Sequence, residues 1–238
     1  MTKKVYPYNN LVFRGAIVAL AGYFLSGPVA SILVRQISPQ PEWVSSEVFS
    51  QNYHVIQDTP YYFGFLLISG MLMIAVGHYL NFNGSNDTKG KFMLLLALCF
   101  SIVFCALISF NYICQTTFVR NLAIAYRPEY DPAIATFSMA NTRSLAWAIE
   151  MWGYAFLGIA TALSAGYYRS NNILLAVLMI LNGVASFAGA VFTIAYASWV
   201  MTTGGLVAYI GWNILMITIM VLILRESAIL TAKTHMTR

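Results

Sequence analysis

Charged residues are scarce in this chain of 238 residues. Asp, Glu, Lys and Arg make up 9% of the sequence, whereas a soluble globular domain carries about 25%. So few charges cannot cover a surface that faces water. With 59% hydrophobic residues in long apolar runs, the composition excludes a soluble, disordered or collagen-like protein. It indicates one bilayer-embedded domain that covers residues 1–238.

Cysteine is also rare. The three cysteines are Cys99, Cys105 and Cys114. Because all of them fall in one apolar stretch, they cannot form an internal disulfide framework. We interpret them as thiols of the protein core or the lipid-facing surface.

Several motifs and residue types are missing from the predicted spans, and their absence excludes several classes of cofactor and enzyme. No lysine lies between Lys91 and Lys233, so the later spans cannot carry a retinal Schiff base. His78 is the one histidine within a span, which excludes haem held by two histidines, and we interpret it as an interfacial anchor. Walker, zinc-ligand, nucleophile-elbow and kinase signatures are absent. The sequence predicts no cofactor and no metal, and it argues against an enzyme.

Long apolar segments are what the chain has in abundance. Each approaches the roughly 20 residues that cross a bilayer as a helix. The predicted spans are residues 11–34, 63–80, 92–119, 145–167, 173–200 and 206–224. The predicted fold class is therefore all-α, a polytopic membrane protein with six transmembrane helices.

The basic residues predict the orientation. Nine of the thirteen Lys and Arg residues lie on the side of the termini and the short loops, and four lie on the other side. Because cytoplasmic loops carry the excess of basic residues, both termini are expected in the cytoplasm. Basic residues at helix ends give no reason to expect nucleic acid as a partner. The two long loops then project outward, and the one with the sequence PEWVSSEVFSQNYHVIQDTP could form a short interfacial helix.

Glu150 is the clearest functional candidate, because an ionisable side chain inside a span is costly unless it has a partner or a cavity. At 100° per residue, Tyr154 lies on its side of the fourth helix. Arg120 and Arg143 stand at the outer rim, and either could reach down to pair with Glu150. Two interpretations remain open: a carboxyl group hydrogen-bonded between helices, or a functional carboxylate.

The neighbouring spans also carry polar side chains. Asn111 and Gln115 lie in the outer half of the third span, and Asn182 lies on a polar face of the fifth. Hydrogen bonds that hold helices together would explain each of them. A solvated, outward-facing pocket between helices three, four and five, which binds a small polar ligand or a cation, is the alternative.

The first span contains Gly27 and Pro28 in its outer half. Proline removes a backbone hydrogen bond and clashes with the preceding turn, so a bend is expected there. We consider this pair a candidate hinge.

The segments WAIEMWGYAFLGIATALSAGYY and ILNGVASFAGAVF resemble small bacterial multi-pass membrane proteins whose function is not assigned. The resemblance covers the fourth and fifth helices. It implies six helices and a location in the bacterial inner (plasma) membrane, and it supplies no catalytic residues. The uncharged loop 201–205 and the bent first helix do not match that group.

Three classes of function fit these observations. The first is a small transporter or channel-like protein in which Glu150 binds a cation or carries a proton. The second is a membrane sensor or accessory subunit whose outer loops bind another membrane protein. The third is an intramembrane enzyme that acts on lipid with Glu150 as a general base, although a second positioned catalytic group is missing.

Overall fold

The computed structural model describes residues 7–82 and 87–235, and this part of the chain is helical with no strand. Six of its helices are long and apolar enough to cross a membrane, which confirms the predicted fold class. They are α1 (Asn9–Ile37), α2 (Thr59–Phe82), α3 (Thr88–Ile124), α4 (Leu145–Tyr168), α5 (Ile173–Ala195) and α6 (Thr203–His235). Short helices Ser46–Gln51 and Asp131–Phe137 lie in the two long loops.

The predicted end of the fifth span at residue 200 is wrong. Helix α5 ends at Ala195, and Tyr196 has extended backbone angles (φ −151°, ψ 98°). Trp199 turns the chain back, because its indole Nε1 donates a hydrogen bond to Thr193 Oγ1 over 2.8 Å. The apolar run continues through this turn, so hydropathy alone could not locate the end of the helix. Helices α1, α2, α3 and α6 extend past both of their predicted ends.

Side chains at the helix starts explain where several spans begin. Ser144 Oγ accepts a hydrogen bond from the backbone N–H of Trp147 over 3.0 Å, and Asn172 Oδ1 accepts one from Leu175 over 3.0 Å. Such caps satisfy backbone donors that the first turn of a helix leaves free. The cap at Ser144 fixes Glu150 in the second turn of α4.

The helices form a closed ring in chain order. Each packs against the one before it, and α6 returns to pack against α1. All six contribute side chains to one apolar cluster, in which Phe104, Ile108 and Met220 are completely buried. Apolar side chains therefore make up most of the close-packed interior of the described bundle, and buried polar side chains such as Asn111 and Asn182 lie among them.

Small residues allow two pairs of helices to approach closely. A Cβ atom added to Gly70 would lie 2.3 Å from Ala19 N in the seam between α1 and α2. Between α4 and α5, a Cβ on Gly158 would lie 2.5 Å from Ser186 Cβ. Larger residues cannot occupy these positions without moving a helix, so both seams depend on glycine.

The two ends of the bundle differ. We call the end that contains segments 38–58 and 125–144 the loop end, and the end that contains Asn9 and Asn81 the terminal end. Asn81 Nδ2 donates to Asn9 Oδ1 over 3.4 Å, which ties α1 to α2 at the terminal end. The charge distribution predicts that the terminal end lies in the cytoplasm.

Two helices contain a π-helical segment near the loop end. Leu25–Val29 in α1 includes both Gly27 and Pro28, and Cys114–Val119 lies in α3. Proline lacks the N–H that an α-helical turn requires, and the wider turn accommodates it without ending the helix. The expected bend therefore takes the form of a π-helical segment, and its role as a hinge stays a prediction.

Candidate functional site

Glu150 lies between α3 and α4 near the loop end, and 8% of its surface is exposed. Asn111 Nδ2 donates a hydrogen bond of 2.8 Å to Glu150 Oε2. The hydroxyl group of Tyr112 donates one of 3.1 Å to Glu150 Oε1. Each carboxyl oxygen thus has a donor, which is the condition for burying such a group without a large loss of stability.

The close approach of α3 and α4 brings these side chains together. A Cβ on Gly153, one turn beyond Glu150, would lie 2.5 Å from Ile108 Cδ1. Asn111 and Tyr112 follow Ile108 by one turn of α3. They therefore lie opposite Glu150, which precedes Gly153 by one turn of α4. Polar side chains on two facing helices then satisfy one another.

Gln115 connects this site to the loop that follows α3. Its Nε2 donates to Asn111 Oδ1 over 3.3 Å and to the backbone oxygen of Phe137 over 2.7 Å. Its Oε1 accepts a hydrogen bond of 3.0 Å from the backbone N–H of Met139. One side chain therefore holds the loop against α3 and extends the polar contacts to the loop end.

Tyr154 continues the polar contacts along α4 toward α6. Its hydroxyl group lies 3.5 Å from that of Tyr112. Its ring packs edge-on against Trp212, with 5.4 Å between the ring centroids. We call the connected set the Glu150 network; its members are Asn111, Tyr112, Gln115, Glu150 and Tyr154.

Asn182 belongs to a second set of hydrogen bonds. Its Nδ2 donates to Thr161 Oγ1 over 2.8 Å, and its Oδ1 accepts from Ser186 Oγ over 3.5 Å. The indole Nε1 of Trp212 donates to Ser186 Oγ over 2.8 Å. We call these four residues the Asn182 network. The structure thus divides the residues predicted for one pocket into two networks that share helix α4.

Neither of the two candidate arginines pairs with Glu150. Arg120 Nη1 lies 3.9 Å from Asp58 Oδ2 and donates to the Tyr62 hydroxyl group over 3.1 Å. Arg143 is exposed at the loop end, and its backbone N–H donates to Asn141 Oδ1. Within the described ranges the other ion pair joins Arg127 to Glu129. The expected pairing is wrong because Asn111 and Tyr112 occupy both oxygens of Glu150.

A small cleft opens at the loop end above the Glu150 network. The short helix Ser46–Gln51, the start of α2, the loop end of α3 and the segment 138–140 surround it. It has room for about one water molecule. The residues that line it are Gln40, Phe49, Tyr53, Gln57, Asp58, Tyr61, Gln115, Val119, Ser138 and Ala140.

Four of the polar residues that line this cleft are buried, and two of them, Gln57 and Asp58, lie in the loop before α2. Asp58 is 3% exposed, and its Oδ2 accepts a hydrogen bond of 2.6 Å from the Tyr53 hydroxyl group. Burial, with the neighbouring carboxylate of Asp58, raises the pKa of Tyr53 well above its ordinary value, so Tyr53 remains a neutral donor. Gln57 donates through Nε2 to the backbone oxygens of Ser38 and Asn52. Its Oε1 is buried without a partner in the described structure.

Asp58 and Gln57 are functional candidates that the sequence argument missed. The sequence allows a short interfacial helix in the loop that contains them. A helix does form there, at Ser46–Gln51, and its Phe49 packs in an apolar cluster that includes Val119 and Ile134; its position at a membrane interface stays a prediction. The available signal in the sequence is the carboxylate of Asp58, which lies five residues before the predicted start of the second span at residue 63.

The terminal end contains another buried polar cluster. His78 is 1% exposed, and its Nε2 forms a hydrogen bond of 2.6 Å with the Tyr168 hydroxyl group. Its ring also packs on Tyr167, with centroids 4.6 Å apart. The interpretation of His78 as an interfacial anchor is wrong, because the tyrosines of α4 enclose it.

No group of three or more His, Cys, Asp or Glu side chains is placed to hold a metal ion in residues 7–82 and 87–235. Comparisons with protein-family models, curated proteins and solved structures found no match to this chain. The chemistry of the site therefore rests on its own geometry.

Proposed function

We propose that this multi-pass membrane protein is a small transporter or channel-like protein that binds a small polar ligand or cation at its loop end. Glu150 is the internal acceptor for the cation or for a coupled proton. The observation that supports this proposal is the chain of hydrogen bonds from cleft-lining Gln115 through Asn111 to Glu150. Ionisable groups inside a membrane commonly mark ion and proton pathways.

The surroundings of Glu150 suit proton exchange. Tyr112 donates to Glu150 Oε1, and the Tyr154 hydroxyl group lies within 3.5 Å of that of Tyr112. Hydroxyl groups both donate and accept, so they can pass a proton to or from a carboxylate. The amide groups of Asn111 and Gln115 orient the carboxyl group and connect it to the cleft.

Passage across the bilayer requires the helices to move. Phe104 and Ile108 are completely buried in the apolar cluster on the terminal side of Glu150, so the described state is closed. We propose that the helices bend at the π-helical segments of α1 and α3, because such segments interrupt the regular α-helical hydrogen bonds and often occur at functional sites. Pro28 and Gln115 lie within these two segments.

Flux measurements with purified protein in liposomes test the proposal. An imposed gradient of a monovalent cation or of protons should produce flux with the wild-type protein and with Glu42→Gln, because Glu42 is exposed in the loop. Glu150→Gln should reduce the flux by at least about tenfold, since an amide cannot exchange a proton as a carboxyl group does. Flux no greater than that of empty liposomes, together with reproducible co-purification of another membrane protein, would favour an accessory subunit instead.

A further inference from the structure

We propose that the loop-end cleft is a binding site for a water-sized monovalent cation that donates hydrogen bonds, of which ammonium is the simplest example. This inference rests on the proposed function, because it names the class of ligand that the protein takes up. The juxtaposition of a buried carboxylate, an unpartnered carbonyl oxygen and aromatic walls in a water-sized space supports it.

The size and walls of the cleft restrict the ligand. Because it has room for about one water molecule, larger organic cations are excluded. The aromatic residues Phe49, Tyr53 and Tyr61 are among those that line it. Aromatic faces attract cations, and the attraction grows when both groups are shielded from water. The cleft thus favours a positive charge over a neutral molecule of the same size.

One oxygen atom of a residue that lines the cleft lacks a donor. Gln57 is 7% exposed, and its Oε1 has no hydrogen-bond partner among the described residues. A buried acceptor without a donor destabilises a protein, and a ligand N–H group that donates to it would recover that loss. An alkali ion also binds carbonyl oxygens, but it needs several of them at once to replace its hydration shell, whereas a single acceptor can engage one of the four N–H groups of ammonium.

Asp58 supplies the negative charge. Its only cationic neighbour in the described structure is Arg120, at 3.9 Å, and that side chain is 33% exposed. A partly solvated guanidinium group at this distance neutralises a carboxylate weakly. Arg120 is therefore expected to compete with a bound cation without replacing it.

The chain provides a matched control pair outside the cleft. Tyr126 donates a hydrogen bond of 2.8 Å to Asp131 Oδ1, just as Tyr53 donates to Asp58 at the same separation of five residues. Asp131 does not line the cleft. The same Asp→Asn substitution thus removes a negative charge beside the same kind of tyrosine hydrogen bond at both positions, but only Asp58 belongs to the proposed site.

Thermal unfolding of the purified full-length protein in detergent, at constant ionic strength, tests this inference. Ammonium chloride should raise the Tm in a saturable way, and potassium or sodium chloride should raise it much less. Asp58→Asn should abolish the ammonium-dependent shift, and Asp131→Asn should retain it. Arg120→Gln should lower the ammonium concentration needed for half of the shift by about threefold, because it removes the competing charge. A folding defect would not produce that opposite effect.

The inference is overturned if ammonium does not change the Tm of the wild-type protein, or if potassium acts equally. An equal loss of the shift in Asp58→Asn and Asp131→Asn would also overturn it. Its failure is distinguishable from that of the proposed function. Flux that depends on Glu150 without ammonium binding rejects only the cation site, whereas ammonium binding without any flux rejects only transport.

Discussion

The Glu150 network and the Asn182 network both bury amide side chains against α4, but their surroundings differ. The Glu150 network extends through Gln115 to a cleft at the loop end. The Asn182 network lies in the seam where Gly158 and Gly183 bring α4 and α5 into close contact. A polar residue in a span therefore does not by itself indicate a site. A polar residue that is connected to a solvent-facing cleft is a functional candidate, whereas one in a closed helix seam is explained by hydrogen bonds that hold the helices together.

The largest effect is expected from filling the seam at the Asn182 network. Gly158→Leu should destabilise the protein by more than about 3 kcal/mol, because its side chain would overlap Ser186 on α5. The yield of monodisperse protein and the Tm after extraction in detergent measure this effect. Gly166→Leu is the matched control on the same helix, since a Cβ there meets nothing within 4 Å. Equal losses for both variants would show that the seam is not closely packed.

Removal of the carboxyl group should break the Glu150 network. Glu150→Leu is expected to lower the free energy of unfolding by about 2 kcal/mol, because two buried hydrogen bonds are lost: the Tyr112 hydroxyl group loses its carboxyl acceptor, and Asn111 Nδ2 keeps the backbone oxygen of Ala146 but not Glu150. Glu150→Gln should cost less than half as much, since its amide oxygen can still accept from Asn111. Chemical denaturation of the three proteins in one detergent compares them. Equal stability of the Leu and Gln variants would contradict the hydrogen bonds described.

Removal of the Asn182 amide group should destabilise the protein less than Glu150→Leu does. Asn182→Leu is expected to cost about 1 kcal/mol, typical of one hydrogen bond between membrane helices. Thr161 Oγ1 would still donate to the backbone oxygen of Gly158 over 2.8 Å, so it would not be left without a partner. The Tm of the variant measures this cost. A loss larger than that of Glu150→Leu would reverse the ranking of the two networks.

The smallest effect is expected at an arginine that touches neither network. Arg143→Gln should change the free energy of unfolding by less than about 0.5 kcal/mol, as is usual for exposed positions. The sequence places Arg143 close enough to reach Glu150, so this variant tests directly whether the two side chains form an ion pair. A destabilisation comparable to that of Glu150→Leu would reinstate the pairing.

The six helices were predictable from the sequence, because a long apolar segment in lipid can satisfy all of its backbone hydrogen-bonding groups within itself when it forms a helix. The sequence also identified Glu150, Asn111 and Gln115, since helical periodicity places residues on a face. Which faces meet depends on packing, and the glycines of the α4–α5 seam assign Asn182 to a different contact. Asp58 and Gln57 escaped prediction because the fold of a loop over a helix end leaves no periodic signal.

Flux through liposomes that contain Glu150→Gln or Asn182→Leu protein, normalised to the amount of folded protein, tests the central distinction most directly. Glu150→Gln is expected to lower flux to the level of empty liposomes, while Asn182→Leu retains the wild-type rate per folded molecule. Equal flux in the two variants, or a loss confined to Asn182→Leu, would contradict it.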